Sequence, residues 1–218
     1  MQQHQLPGII NKRVEELIRS VGRDLRLARL SDNWTPNIKS KPDGTPICDS
    51  DLSAQRRLVE GLCQIMPSDV VIAEEEMDQI SDREAVCDFK RAWIVDPIDG
   101  TSCYLAGDDR YGLIVTWYCA GEVYGAWIYM PERDHFICLD ADSSKMIQKN
   151  CGSVKLALRD LDVPTHLLTS TKLDIIGCSN IEIDPPASCC DYLDLISGRA
   201  HVAFYADPKV WDLSLIHI

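Results

Sequence analysis

No apolar run in this chain approaches the ~18 residues that a membrane span requires, and its opening, MQQHQLPGIINKRVEELIR, holds no compact apolar signal region. The expected address is the cytoplasm, with no membrane partner. Positive charge is scarce as well: 22 Lys and Arg stand against 34 Asp and Glu, a formal net charge of −12 at pH 7. That balance opposes a broad electrostatic footprint for a nucleic acid polymer or an anionic membrane, and a phosphate-bearing ligand would need help from bound cations. The ten cysteines contain no CxxC pair and no Cys/His pattern of zinc spacing. They are scattered through apolar segments, as at Cys63, Cys87, Cys119 and Cys138, which reads as buried thiols rather than a disulfide scaffold. Cys103 lies beside an acidic motif but has no clear partner that would make it a nucleophile. Internal repeats, low-complexity tracts and a calcium-type loop of alternating oxygen ligands are all missing from the sequence.

What is there suits an ordinary globular protein. The 218 residues, 45% hydrophobic and 26% charged, are enough for one domain or two closely packed lobes. From Ile10 onward Val14, Leu17, Ile18, Val21, Leu25 and Ala28 follow helical spacing, an amphipathic opening helix. Residues 33–46 carry three prolines and Asp43-Gly44 and read as a loop, ending where Ser50 or Asp51 can cap a second helix with Leu58, Leu62 and Ile65 as its buried stripe. Residues 112–118 and 123–130 flank Ala120-Gly121-Glu122 as an antiparallel hairpin, and residues 135–139 add a further strand. Residues 140–163 are more polar and irregular, and the boundary between the lobes is expected there, dividing the chain into 1–145 and 146–218. Beyond it, residues 167–169, 175–178 and 200–205 read as strands, and Ser188 reads as the cap of a helix through Tyr192, Leu195 and Ile196 that stops at Gly198.

The chemistry concentrates at two strand ends. Residues 70–72 are a short β-branched run that stops at Glu74-Glu75-Glu76, and residues 92–95 stop at Asp96-Pro97-Ile98-Asp99-Gly100-Thr101. In the second segment two carboxylates lie three residues apart in an expected turn, stiffened by Pro97 and folded tightly at Gly100, so both can face one cation. Mg²⁺ takes hard oxygen ligands of this kind, and the carbonyl of Ile98 can join them. The amides of Gly100, Thr101 and Ser102 could receive phosphate oxygens. The competing readings are a solvated turn after a strand and a plain charged loop; two acidic strand ends so near in sequence favour a shared metal site.

WIVDPIDGT, preceded by IAEEE and DGTPICDSD and followed far downstream by GRAHVAFYADPKVWD, resembles the inositol monophosphatase family of magnesium-dependent phosphatases, from about Lys41 to Asp212. The resemblance implies a layered αβαβα sugar-phosphatase fold of the α/β (α+β) class, like that of inositol monophosphatase and fructose-1,6-bisphosphatase. It implies an N-terminal α+β lobe carrying most of the metal site and a partial C-terminal α/β lobe carrying the Trp-Asp motif. Six residues follow Asp212, so the C-terminal lobe is expected to be truncated. By resemblance Glu74, Asp96, Asp99, the Ile98 carbonyl and Asp212 are metal ligands for two or three Mg²⁺ ions, and Asp99, Gly100, Thr101 and Ser102 bind substrate. Glu74, Thr101 and Asp51 are then catalytic: Asp51 supports the metal-site water, and Thr101 orients it for direct attack on a phosphate monoester.

Two departures from the family pattern stand out. Cys48 occupies a position where Thr is usual, removing a hydroxyl from beside Asp51, and Ser102-Cys103-Tyr104 replaces the common Thr-Asn-Phe, altering the pocket wall. The expected substrate is a small phosphorylated metabolite, an inositol, sugar or polyol phosphate. A 3′(2′),5′-bisphosphate nucleotidase is the alternative within the class, and a catalytically silent truncated relative is the alternative outside it. A homodimer is allowed, since family members commonly pair. His4, His135, His166, His201 and His217 have no ligand spacing, and Trp93, Trp117, Trp127 and Trp211 read as core. Asp191 and Asp194 are expected on a solvated helix face, and Lys41, near the acidic site, could steady a ligand.

Overall fold

The computed structural model describes residues 6–79, 90–140, 147–149, 166–169, 180–183, 187–197, 199–200 and 202–204. Helix α1 (Gly8–Arg29) begins after Pro7 and ends with Arg26 and Arg29 in its last turn, where cations suit the helix dipole. Its buried stripe is Val14, Ile18, Val21, Gly22 and Leu25, with Leu17 half-buried; Ala28, expected on the same face, is exposed near the helix end. Two three-residue strands follow, β1 (Ile38–Ser40) and β2 (Pro46–Cys48), paired antiparallel in a small hairpin. Helix α2 (Asp49–Ile65) buries Leu58 and Leu62. It crosses α1 closely, because a Cβ on Gly61 would stand 2.5 Å from the Leu17 side chain.

Strand β3 (Val70–Ala73) runs parallel to β4 (Arg91–Asp99), and between them residues Glu74–Gln79 form a 3₁₀ turn. After the short helix α3 (Thr101–Ala106), strands β5 (Gly112–Cys119), β6 (Glu122–Met130), β7 (His135–Asp140) and β8 (Ile147–Lys149) add on antiparallel in sequence order. The result is a six-stranded sheet, β3-β4-β5-β6-β7-β8. The β5–β6 connection is Ala120-Gly121 with φ of +49° and +95°. Positive φ at both central residues matches the right-handed strand twist, the usual two-residue hairpin solution.

Period-two alternation gives this sheet two different faces. Val95, Leu113, Val115, Trp117, Trp127, Tyr129 and Phe136 join α1 and α2 in one core. Ile114, Ala126, Ile128, Met130 and Ile137 form a second core with Cys189, Cys190, Tyr192 and Leu193 of helix α4 (Ser188–Ser197). Helix, sheet and helix therefore stack as successive layers. Strands β9 (His166–Thr169), β10 (Asn180–Ile183) and β11 (Val202–Phe204) pair in parallel in the order β10-β9-β11, and α4 contacts β11. The strand read at 175–178 and the helix stop at Gly198 lie outside the described residues. No described helix is long and apolar enough to cross a membrane.

Trp93 packs on Trp127 and Trp117 at centroid distances of 5.8 and 6.3 Å, the core placement expected of them. Among the described cysteines five are buried, Cys138 is half-buried and Cys63 is exposed, so the expectation of burial fails at Cys63, which falls on the solvent side of α2. Because Ile128 is fully buried between β6 and α4, Ile128→Ala should lower the unfolding free energy by about 2–5 kcal/mol. Urea denaturation reads this directly, and an unchanged midpoint would show that α4 does not cover that face.

Candidate active site

The two acidic strand ends are brought side by side by strand pairing. In the parallel β3–β4 register Ala73 lies opposite Val95, so the next residue of each strand, Glu74 and Asp96, emerges at the same edge. Asp96 comes close enough to share a hydrogen bond with Glu74. The Asp96–Asp99 segment is not the turn expected from its Pro and Gly content. It is the bulged end of β4, with Asp96 opposite Ile114 and Asp99 opposite Gly112. Three steps on β4 thus match two on β5, one extra residue. In a regular strand, side chains three apart point to opposite faces. The extra residue turns both aspartates to one face, and pairing to β5 keeps Pro97 in the strand despite its turn-like composition. The turn itself is delayed to Gly100 (φ +82°).

Each carboxylate has its own means of tolerating burial. Lys41, at the turn of the β1–β2 hairpin, places its Nζ 2.7 Å from Glu74 Oε1 and 2.8 Å from Glu75 Oε2. Burial opposes the Lys41 charge, but Glu74 and Glu75 outweigh it and hold the ammonium protonated well above the usual lysine range. Burial also raises Glu74, against the pull of Lys41. Burial and the neighbouring Glu74 push the Glu75 carboxyl up to about 7. The Glu75 amide is taken by Gln55 Oε1 of α2 at 2.9 Å, a contact that no motif announces.

Asp51 is completely buried. It sits at the third position of α2 and reaches back to the helix cap, which is Cys48 rather than the Ser50 or Asp51 expected from the sequence. Its Oδ2 accepts from the Cys48 amide at 2.8 Å and from the Cys48 thiol at 2.9 Å. Serine or threonine ordinarily plays this reciprocal part; here the thiol supplies the donor that a missing hydroxyl would have made. Burial and the Asp51 carboxylate push the Cys48 thiol up to about 12, so it remains a neutral S–H donor. The other oxygen, Oδ1, accepts from Thr101 Oγ1 at 3.0 Å, and that hydroxyl is also 3.0 Å from the Ile98 carbonyl. Burial raises Asp51 despite the donors from Cys48 and Thr101.

Asp99 is held from the opposite layer. Its Oδ1 accepts from Ser188 N and Oγ at 3.0 and 2.9 Å, and its Oδ2 from Cys189 N at 2.7 Å. Ser188 therefore does not cap its own helix. A strand residue 89 positions earlier in the chain accepts the first amides of α4, a favourable place for a carboxylate. Asp194 pairs with Arg199 at 2.7 Å on the surface, as a solvated helix face would.

The structure thus brings together Glu74, Asp96, Asp99, Ile98, Asp51, Gly100, Thr101 and Ser102. Asp212 and Trp211 lie outside the described residues. The donor set is hard oxygen throughout, which suits Mg²⁺, and a cation, the Lys41 ammonium, already sits among these acids. Among the described residues no group of three acids converges on one point closely enough to enclose an ion. Glu74 is drawn to Lys41, and both oxygens of Asp99 are drawn to the amides of α4.

Comparison with known proteins agrees with this architecture. Residues 11–214 match the model of the inositol monophosphatase family. A protein of Streptomyces griseus named glucose-1-phosphate thymidylyltransferase is 27% identical over 205 residues, 86% of this chain and 76% of that one. The 3′(2′),5′-bisphosphate nucleotidase CysQ of Buchnera aphidicola is 25% identical over 211 residues, 93% of this chain and 77% of its own. A solved IMPase/NADP phosphatase, complexed with Mg²⁺ and phosphate, superposes with a TM-score of 0.79 at 14% identity, covering 96% of this chain and 80% of that one. The chain belongs to the inositol monophosphatase family, within the class of phosphoric monoester hydrolases.

Two substitutions test the local geometry. A Cβ on Gly100 would stand 2.9 Å from the Arg110 carbonyl and 3.0 Å from Ala187 Cβ at a left-handed backbone, so Gly100→Ala should cost at least about 1–2 kcal/mol of stability. Cys48→Ala should cost about 0.5–2 kcal/mol, while Cys48→Ser should stay near wild type. Thermal midpoints of the variants measure each, and equal loss in Ser and Ala would show that the Cys48 donor is immaterial.

Proposed function

We propose that this protein is a Mg²⁺-dependent phosphomonoester hydrolase acting on a small inositol, polyol or sugar phosphate. The observation that supports this best is the placement of Glu74, Asp96 and Asp99 at the ends of two neighbouring strands, with the Lys41 ammonium on Glu74 and the hydrogen-bonded Asp51, Thr101 and Ile98 alongside. Glu74, Asp96, Asp99 and the Ile98 carbonyl would hold Mg²⁺, with Asp212 as a further ligand. When bound, Mg²⁺ polarises phosphate oxygens and brings the pKa of a water towards ~7.

The chain's own groups then act in sequence. Asp51 accepts the Thr101 hydroxyl proton in a hydrogen bond, which leaves a Thr101 oxygen lone pair to take a hydrogen bond from the attacking water. Glu74 accepts a proton from that water; its burial, which favours the protonated form, makes it a base able to hold one. The Gly100, Thr101 and Ser102 amides at the start of α3 cradle phosphate oxygens, since the first amides of a helix have no partner within it. Asp99 is held in place by the Ser188 and Cys189 donors of α4.

A bisphosphate nucleotidase is the second reading, favoured by the CysQ relative. Phosphate release from inositol 1-phosphate and from 3′-phosphoadenosine 5′-phosphate, with Mg²⁺ and with EDTA, separates the two by preferred substrate. Turnover should vanish in EDTA and fall by at least about 100-fold in Asp96→Asn, more than a supporting residue would cost. Folded protein that binds Mg²⁺ and turns over neither substrate would replace this reading with that of a catalytically silent relative.

A further inference from the structure

Helix α3 is six residues long, too short to hold a direction by itself in water, so what it packs on sets its direction. Thr101 and Tyr104 stand three positions apart on it and share one face, and both reach the start of α2. Thr101 Oγ1 donates to Asp51 Oδ1 at 3.0 Å. One turn on, the Tyr104 hydroxyl lies 3.2 Å from Ser50 Oγ and 3.1 Å from the Leu25 carbonyl of α1. A phenol has one proton to give. The Leu25 carbonyl can only accept, so it takes that proton, and the Ser50 hydroxyl donates to the phenol oxygen. Tyr104 is completely buried, and its ring meets Trp34 and Tyr111 edge to face at centroid distances of 5.6 and 5.0 Å. Arg29 of α1 secures the far end of α3, donating to the Asp108 carbonyl at 2.6 Å and pairing with Glu132 at 2.7 Å.

This bracing bears on the direction of one proton. The Thr101 hydroxyl has two acceptors at 3.0 Å, Asp51 Oδ1 on α2 and the Ile98 carbonyl three residues back in its own segment. The Ile98 contact is local and survives wherever α3 sits; the Asp51 contact lengthens as soon as α3 drifts from α2. We propose that Tyr104 is a positioning residue: its hydroxyl, bonded to α1 and α2 together, holds α3 against α2 so that Thr101 gives its proton to Asp51 and not to Ile98. This deepens the proposed function and rests on its assignment of Thr101 to the attacking water, because the lone pair offered to that water turns with the Thr101 O–H bond.

The experiment compares wild type with Tyr104→Phe, which removes only the hydroxyl, and Ser50→Ala, which removes its partner, each alone and combined with Thr101→Ala. In metal-free protein carrying ¹³C-labelled threonine methyls, the Thr101 methyl should shift and its order parameter should drop in both single variants, while the buried Thr116 methyl of β5 stays put. With Mg²⁺ and whichever of inositol 1-phosphate and 3′-phosphoadenosine 5′-phosphate wild type prefers, kcat should fall by about five- to ten-fold at an unchanged KM, the pattern of a contact felt in the transition state. On a Thr101→Ala background neither substitution should lower kcat further, because the group they position is gone. A loss of the same size on that background would mark a general structural effect and overturn the proposal, as would an unmoved Thr101 methyl. Unchanged kcat in Tyr104→Phe beside an active wild type would overturn the positioning role alone. No turnover by wild type would remove the hydrolase reading, and the positioning role with it.

Discussion

Negative charge placed out of water at the C-terminal ends of two neighbouring strands is the constraint around which the rest of this structure is arranged. An isolated buried carboxylate is prohibitively costly unless paired or hydrogen-bonded. Every element that borders the site contributes a remedy. The β1–β2 hairpin delivers the Lys41 ammonium and the Cys48 donors, α3 delivers the Thr101 hydroxyl, and α4 delivers its first amides. Remove any one and a buried acid loses a partner, so the site and the packing of its surroundings form together. Among the remedies only Lys41 brings a full positive charge to the acids described, which leaves the cluster with an excess of oxygen donors over cations.

The sheet decides how these remedies meet. Its two faces carry two separate hydrophobic cores, and each face is closed by different helices. Asp96 and Asp99 lie where β4 leaves the regular ladder, and the single extra residue turns both towards the α4 side. Asp51 and Thr101 approach from the α2 side. A bulge costs ladder regularity, and here the irregular stretch leaves the Ile98 carbonyl within 3.0 Å of the Thr101 hydroxyl, which also bonds Asp51. The glycine after it completes the change of direction, with no room for a side chain against Arg110 and Ala187.

Local features were legible in the sequence and long-range ones were not, for physical reasons. Helices α1 and α2 announce themselves because a 3.6-residue period in Val14, Ile18, Val21 and Leu25, or in Leu58 and Leu62, needs only nearby residues. The hairpin at Ala120-Gly121 is equally local. The acidic strand ends could be seen as clusters, yet their conformation could not, because Asp, Pro and Gly favour turns intrinsically and only pairing with β5 overrides them. The Cys48 cap is invisible to propensity, since cysteine ranks low among capping residues. The contact between Asp99 and Ser188 depends on packing across 89 positions, and Ser188 looked locally like a cap for its own helix. Lys41 was visible only as a neighbour in sequence; its reach to Glu74 and Glu75 depends on where the hairpin docks.

The same charge arithmetic bears on how an acidic protein can recognise an acidic ligand. At −12 overall, the surface repels a phosphate ester at long range, and screening reduces this within roughly 8–10 Å at physiological salt. At contact, attraction must come from groups that are positive locally: amides at helix starts, and cations held by the buried acids. Burial raises the Glu74 and Asp51 carboxyls, and a nearby divalent charge acts in the opposite direction, favouring the ionised ligand form. Binding a cation and ionising its ligands therefore reinforce each other. The acids that make the chain unsuited to phosphate in bulk are, once concentrated at one sheet edge, what makes a local phosphate site attainable.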